Sequence, residues 1–244
     1  MQDRYAGDIG DYGKIALLKA LQRQGLSIGV NWYKTEALAV EKKADGSFKQ
    51  EDGKYLIPEQ LRQCDFKLAN KLTGIAMSGR RSIKAIEDAA LISGAIYYSD
   101  LITVGQRNGW HQQALEILKK ADIVFLDPDN GMLVKSVGKQ SARSVKYAFY
   151  EEVRDYIKQG QSVLVYNHRS RKKEAQYFHD ISEKLEEYTA VSEADILKIT
   201  FPKFSVRDYL AIPATKDHQK KMVSAFSGME QGIWGQLGVC RIPQ

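Results

Sequence analysis

Residues 121–132 read ADIVFLDPDNGM, and this stretch decides the fold class. Its four consecutive apolar residues, Ile123–Leu126, are too few for a helix core. They suit a strand covered on both faces, the pattern of a parallel sheet. Asp127-Pro128-Asp129-Asn130-Gly131 then ends the strand, because proline removes a backbone donor and Asn-Gly favours a turn. Two carboxylates and a carboxamide are thereby left outside the carboxyl end of a strand, where open α/β sheets bind ligands.

The same layout recurs on either side. Residues 27–33, SIGVNWY, 95–100, AIYYSD, and 161–166, QSVLVY, read as further strands, the last running into Asn167-His168-Arg169-Ser170-Arg171. Helical periodicity separates them. Ile15, Leu17, Leu18 and Leu21 follow the first aspartates, with Asp11 placed as an N-cap and Gly25 as a stop. Further helices are expected over 112–120, around Tyr147, Tyr150, Val153 and Ile157, over 172–188 and over 216–226, with an extended tail at 235–242. Residues 196–201 and 207–212 leave no room for a crossover helix, so they should be antiparallel neighbours. The expectation is a single α/β domain over 1–244, Rossmann-like, with a mostly parallel sheet and a terminal antiparallel hairpin. Residues 39–93 read as a helical insertion: a turn at 44–47, a short strand at 54–57, a helix from Pro58 to about residue 72, and one capped by Ser82.

Composition is that of an ordinary globular protein, 43% hydrophobic and 27% charged. No run approaches the roughly 18 apolar residues of a membrane span, and the first residues lack a signal-peptide core, so no membrane partner and a cytoplasmic location are expected. Cys64 and Cys240 belong to no metal motif. Net charge is +6, and the window 135–175 holds ten Lys or Arg against four Asp or Glu, which accounts for the whole surplus. RNA or DNA is the natural partner of such a window. Residues 2–14, QDRYAGDIGDYGK, carry three aspartates, three glycines and two tyrosines, a density that solubility does not require.

Two stretches together resemble the large-subunit ribosomal RNA adenine-N6 methyltransferases, which carry an AGNHADVLK segment and a DPPY motif. Ala6-Gly7-Asp8-Ile9-Gly10-Asp11-Tyr12-Gly13-Lys14 matches the first at Ala6, Gly7, Asp11 and Lys14, and Asp127-Pro128-Asp129-Asn130 stands where the second belongs. The chain also looks like uncharacterised bacterial proteins with a GDxGDxxK start and a DPDNG loop. The first resemblance implies a class I methyltransferase-like fold, S-adenosylmethionine as cofactor and a base as substrate. It makes Asp127, Pro128, Asp129 and Asn130 the catalytic loop, to which His168 is added from the end of its own strand. Asp8, Asp11, Lys14, Trp32 and Asp100 would shape the cofactor pocket, and Tyr5, Tyr166, Arg169 and Arg171 would hold the substrate. The aromatic of DPPY is replaced here, so stacking would come from Tyr5, Trp32 or Tyr166. No glycine turn follows the first strand, which continues Lys34-Thr35-Glu36.

Two other readings stand beside this one. Asp127 and Asp129, with Asp8, Asp11 or Asp100, are hard oxygen ligands suited to Mg²⁺ in a nuclease or phosphoesterase, with His168 or Arg169 serving the phosphoryl group. A non-catalytic nucleic-acid-binding module would need only the basic window.

Overall fold

The computed structural model describes residues 1–36, 43, 56–169, 172–203 and 206–243. The turn expected at 44–47, Lys54 and Tyr55 of the expected 54–57 strand, and Arg171 lie outside them. Eight strands are described: β1 Ile28–Asn31, β2 Ile96–Tyr98, β3 Ile123–Leu126, β4 Gly131–Met132, β5 Tyr147–Ala148, β6 Ser162–His168, β7 Leu197–Phe201 and β8 Arg207–Ile212. Six form one sheet in the order β2-β1-β3-β6-β8-β7, while β4 and β5 pair separately. β2, β1, β3 and β6 are mutually parallel; β8 runs antiparallel to both β6 and β7. The expected terminal pair is therefore present, but its second member, β8, is the one that joins the parallel strands.

Helices cover both faces, and the strand residues alternate between two apolar layers. Val30, Phe125 and Leu164 pack toward α1 (Ile9–Arg23) and α8 (Lys216–Gln231), against Leu17, Leu21, Met222 and Phe226. Val124, Leu126, Val163 and Val165 pack toward α5 (Arg107–Leu118), α6 (Tyr150–Lys158) and α7 (Glu174–Thr189), against Leu118, Val153 and Leu185. Each of these fully buried side chains contributes about 1.5–3 kcal/mol of transfer free energy. Residues 56–93 form α2 (Glu59–Arg62), α3 (Phe66–Met77) and α4 (Ile83–Asp88), and Leu68, Leu72, Ile83 and Ile86 enter the same apolar layer as α1. A break at residues 63–65 divides the helix expected from Pro58 onward: Asp65 caps α3 by accepting from the Leu68 amide.

Two readings need correction. The N-cap of α1 is Asp8, whose side chain accepts from the Asp11 amide, so the helix begins three residues earlier than expected and carries Asp11 and Lys14 within it. The tail is not wholly extended: Ile233–Gln236 is a short helix, α9, and Arg241 then bridges to Thr200 at the edge strand β7. No helix among the described residues is long and apolar enough to cross a membrane.

Candidate active site

A cavity of about 370 Å³ opens at the carboxyl edge of the parallel strands. Asp127 to Asn130 enter it from the end of β3, Asp8, Gly10, Asp11 and Lys14 from the first turns of α1, and Tyr166 and His168 from β6. Tyr5 also lines it. Segments more than a hundred residues apart in sequence thus converge. The link between them is direct, since Lys14 Nζ donates to Asp127 Oδ2 at 2.6 Å and lies 3.0 Å from Asp11 Oδ1.

One ammonium serves two buried carboxylates. Burial alone would lower the Lys14 pKa, but Asp127 and then Asp11 outweigh it and hold the ammonium well above its usual range. Burial raises both Asp11 and Asp127, with Lys14 opposing it. The two oxygens of Asp127 are used differently. Oδ2 takes the lysine, whereas Oδ1 receives no hydrogen bond from the described residues, in a side chain that lines the cavity. Beside them the Tyr209 hydroxyl is buried without a hydrogen-bond partner among the described residues, and burial pushes its pKa far up.

Asp129 is in the opposite condition. Gln2 Nε2 donates to its Oδ2 at 2.9 Å, Lys146 Nζ lies 3.3 Å from the same oxygen, and the amino group of Met1 lies 3.4 Å from Oδ1. Burial would raise this carboxyl, but the Met1 amine and Lys146 prevail and hold it below the usual range. Met1 also donates to the carbonyls of Trp32 and Tyr33 at 2.8 and 2.7 Å, so the amine covers the end of β1. There Tyr33 adopts φ +45°, the left-handed conformation for which the missing glycine would have been suited. Its hydroxyl donates to Glu152 Oε2 at 2.9 Å, which fixes the strained residue.

The remaining expected residues fall in different places. Trp32 is fully buried, donates Nε1 to Glu87 and lies under Lys14, 5.7 Å from Nζ to the ring centroid, outside the cavity lining. Asp100 is exposed beyond β2, its carbonyl accepting from the Trp110 indole, and also lies outside the lining. Arg169 forks onto Asp208, with Nε 2.9 Å from Oδ2 and Nη2 2.7 Å from Oδ1, and onto Glu174. It ties β6 to β8 and α7 rather than facing the cavity. His168 stands at the cavity rim, where packing around the ring and the Arg207 guanidinium lower its pKa, leaving a neutral imidazole at pH 7. Burial pushes the Tyr166 hydroxyl up to about 12.

Sequence reading missed Met1, Gln2, Lys146 and Arg207. Lys146 was inside the basic window and Arg207 is an isolated cation opening an apolar strand, which are usable signals; for Met1 and Gln2 there was none. Much of the window is spent internally: Lys139 pairs with Glu151, Arg154 with Asp155, and Lys172 with Asp180. Among the described residues no three His, Cys, Asp or Glu side chains are grouped as a metal site. No family model matches the sequence, and no curated protein matches it.

Proposed function

We propose that this cavity is the active site of a nucleic-acid-modifying enzyme, an S-adenosylmethionine-dependent N-methyltransferase. The observation that carries the reading is Asp127, a buried carboxylate clamped through Oδ2 by Lys14 with Oδ1 left as a free acceptor in the cavity wall. An exocyclic amine needs such an acceptor to fix its orientation, and little else, because nitrogen methylation asks mainly for positioning and exclusion of water. The antiparallel strand placed between β6 and β7 is the ending expected of a methyltransferase-like sheet, which supports the finer fold assignment.

The cofactor has a zwitterionic amino-acid end and a cationic sulfur, and the cavity suits it in size and in carrying both signs of charge on its wall. Asp8, Asp11 and Lys14 would hold it. S-adenosylmethionine supplies a methyl group on a positively charged sulfur. Lys14 opposes the burial that raises the Asp127 carboxyl and holds it in place, Asp127 Oδ1 accepts the amine N–H, and Tyr5 and Tyr166 present ring surface to a planar base. The proposed partner, RNA or DNA, rests on the basic window, of which Lys135, Arg143, Lys158 and Lys173 form no ion pair among the described residues.

The metal-dependent alternative draws less support. Asp129, its natural second ligand, is already surrounded by Gln2, Lys146 and the Met1 amine, and the donor set beside it is cationic. Calorimetric titration with S-adenosylhomocysteine, repeated with Mg²⁺, tests the choice. We expect micromolar binding of the nucleoside product and loss of methyl transfer to RNA or DNA in Asp127→Ala by about 10³-fold or more. A magnesium isotherm without nucleoside binding would replace this reading by the phosphoesterase, and silence in both by a binding module.

A further inference from the structure

We propose that Arg207 and the first turn of α1 form an oxyanion subsite in the cavity, and that it takes a phosphate of the substrate. The identity of that phosphate as the substrate's rests on the methyltransferase reading; the anion site itself does not.

Arg207 is only 8% exposed, yet the sole hydrogen bond of its side chain among the described residues runs from Nη1 to the Lys203 carbonyl at 3.5 Å, the weak limit for such a bond. No carboxylate pairs with it among the described residues. Arg107, the other buried arginine among the described residues, is treated otherwise and forks onto Glu152 at 2.6 and 2.8 Å; the partly buried Arg169 forks onto Asp208 at 2.9 and 2.7 Å. A buried guanidinium without an acid partner costs stability unless an anion joins it, and its planar fork matches phosphate oxygens. Arg207 lines the cavity, and neither its Nε nor its Nη2 is among the buried polar atoms cut off from solvent.

The second element is the amino end of α1, a helix of 15 residues. Asp8 takes the Asp11 amide and its carbonyl takes the Tyr12 amide, which leaves the Ile9 and Gly10 amides without acceptors among the described residues. Such amides, with the helix dipole behind them, attract anions. Gly10 brings this end of the helix close to the guanidinium: a Cβ added to it would lie 3.3 Å from Arg207 Nε and 2.9 Å from Asp8 Oδ1. The absence of a side chain at Gly10 is what gives an anion access to both. Asp8 is the acid at this corner, and its cap bond to Asp11 occupies Oδ1. Arg207 opens β8, which lies beyond β6 from β1, and its register partner on β6 is His168. The subsite is therefore on the Tyr166–His168 side of Asp127, away from the β1 end.

Calorimetry of the full chain with inorganic phosphate, and separately with S-adenosylhomocysteine, tests this. Phosphate should bind wild type and weaken at least tenfold in both Arg207→Gln and Gly10→Ala, with partial recovery in Arg207→Lys. Gly10→Ala should lose some melting temperature, since its methyl would crowd the Asp8 cap oxygen at 2.9 Å, so Arg207→Lys, which keeps the charge and leaves the cap alone, decides the matter if Arg207→Gln fails to fold. Absence of phosphate binding in wild type, or equal binding in the folded variants, overturns the subsite. So does a loss of S-adenosylhomocysteine affinity in Arg207→Gln with phosphate unaffected, which would assign the guanidinium to the cofactor's carboxylate. Phosphate binding that behaves as expected in a protein that ignores S-adenosylhomocysteine keeps the anion site and removes the methyltransferase reading instead.

Discussion

Glu174 and Lys14 show how differently one charge can be used. Glu174 collects Arg169, Lys198 and Arg241 at 2.9, 3.1 and 2.7 Å. Burial would raise its carboxyl, but the bonds from Arg241 and Lys198 prevail and bring it from 4.5 down to about 2. A pKa lower in the folded than in the unfolded chain contributes stability above the unfolded value, and that contribution drains away as pH falls toward the folded one. Thermal melts of Glu174→Gln should therefore lose the part of the acid slope that wild type shows between about pH 4.5 and 2. Asp11 and Asp127, raised by burial, have the opposite sign and favour the folded state less as pH rises. Charge density in the first residues and after β3 picked out Asp8, Asp11, Lys14 and the Asp127 loop, which the fold brings to one cavity. Trp32 and Asp100 were placed at the correct sheet edge, but position at a strand end does not say which way a side chain turns, and one went into the core and the other to solvent.

The loop after β3 holds its shape as an element because of the glycine that closes it. Gly131 has φ +98°, and a Cβ there would stand 2.0 Å from Asn167 Oδ1, the atom that accepts the Met132 amide at 2.7 Å. Gly131→Ala should destabilise by roughly 3 kcal/mol or more, combining left-handed strain with the clash. Asn167→Ala should cost about 1–3 kcal/mol through the orphaned Met132 amide. Together they should cost less than the sum in denaturant unfolding, since the second change removes the side-chain part of the clash created by the first and leaves the Asn167 Cα at 2.7 Å. Strand runs such as 123–126 were legible because four apolar residues between polar turns have few other uses. The start of α1 was not, because Asp8 and Asp11 are equally good caps in sequence and packing chooses between them.

Across the whole molecule, a buried ion pair joins elements that the sheet alone would leave independent. Arg107 on α5 grips Glu152 on α6, the Ser144 carbonyl at 3.0 Å and the Tyr147 carbonyl at 2.6 Å, while Glu152 also receives the Tyr33 hydroxyl from the end of β1. Glu152→Ala should lose about 3–5 kcal/mol in chemical denaturation, because it strands a guanidinium that is buried. Arg107→Met together with Glu152→Met should recover part of that loss. The sequence pattern disclosed alternating strands and helices, and hence the class of architecture; this clamp depends on tertiary proximity, so no local pattern announced it.

Strand order also dictates a timetable. β7 precedes β8 in the chain, yet β8 lies between it and β6. A nascent chain that has produced β7 cannot dock it, and the seven-residue edge of β6 keeps its amides and carbonyls unpaired until residues 207–212 arrive. An open hydrophobic strand edge is an invitation to neighbouring chains. On the ribosome, the segment that emerges late is thus the part that protects all the rest from aggregation.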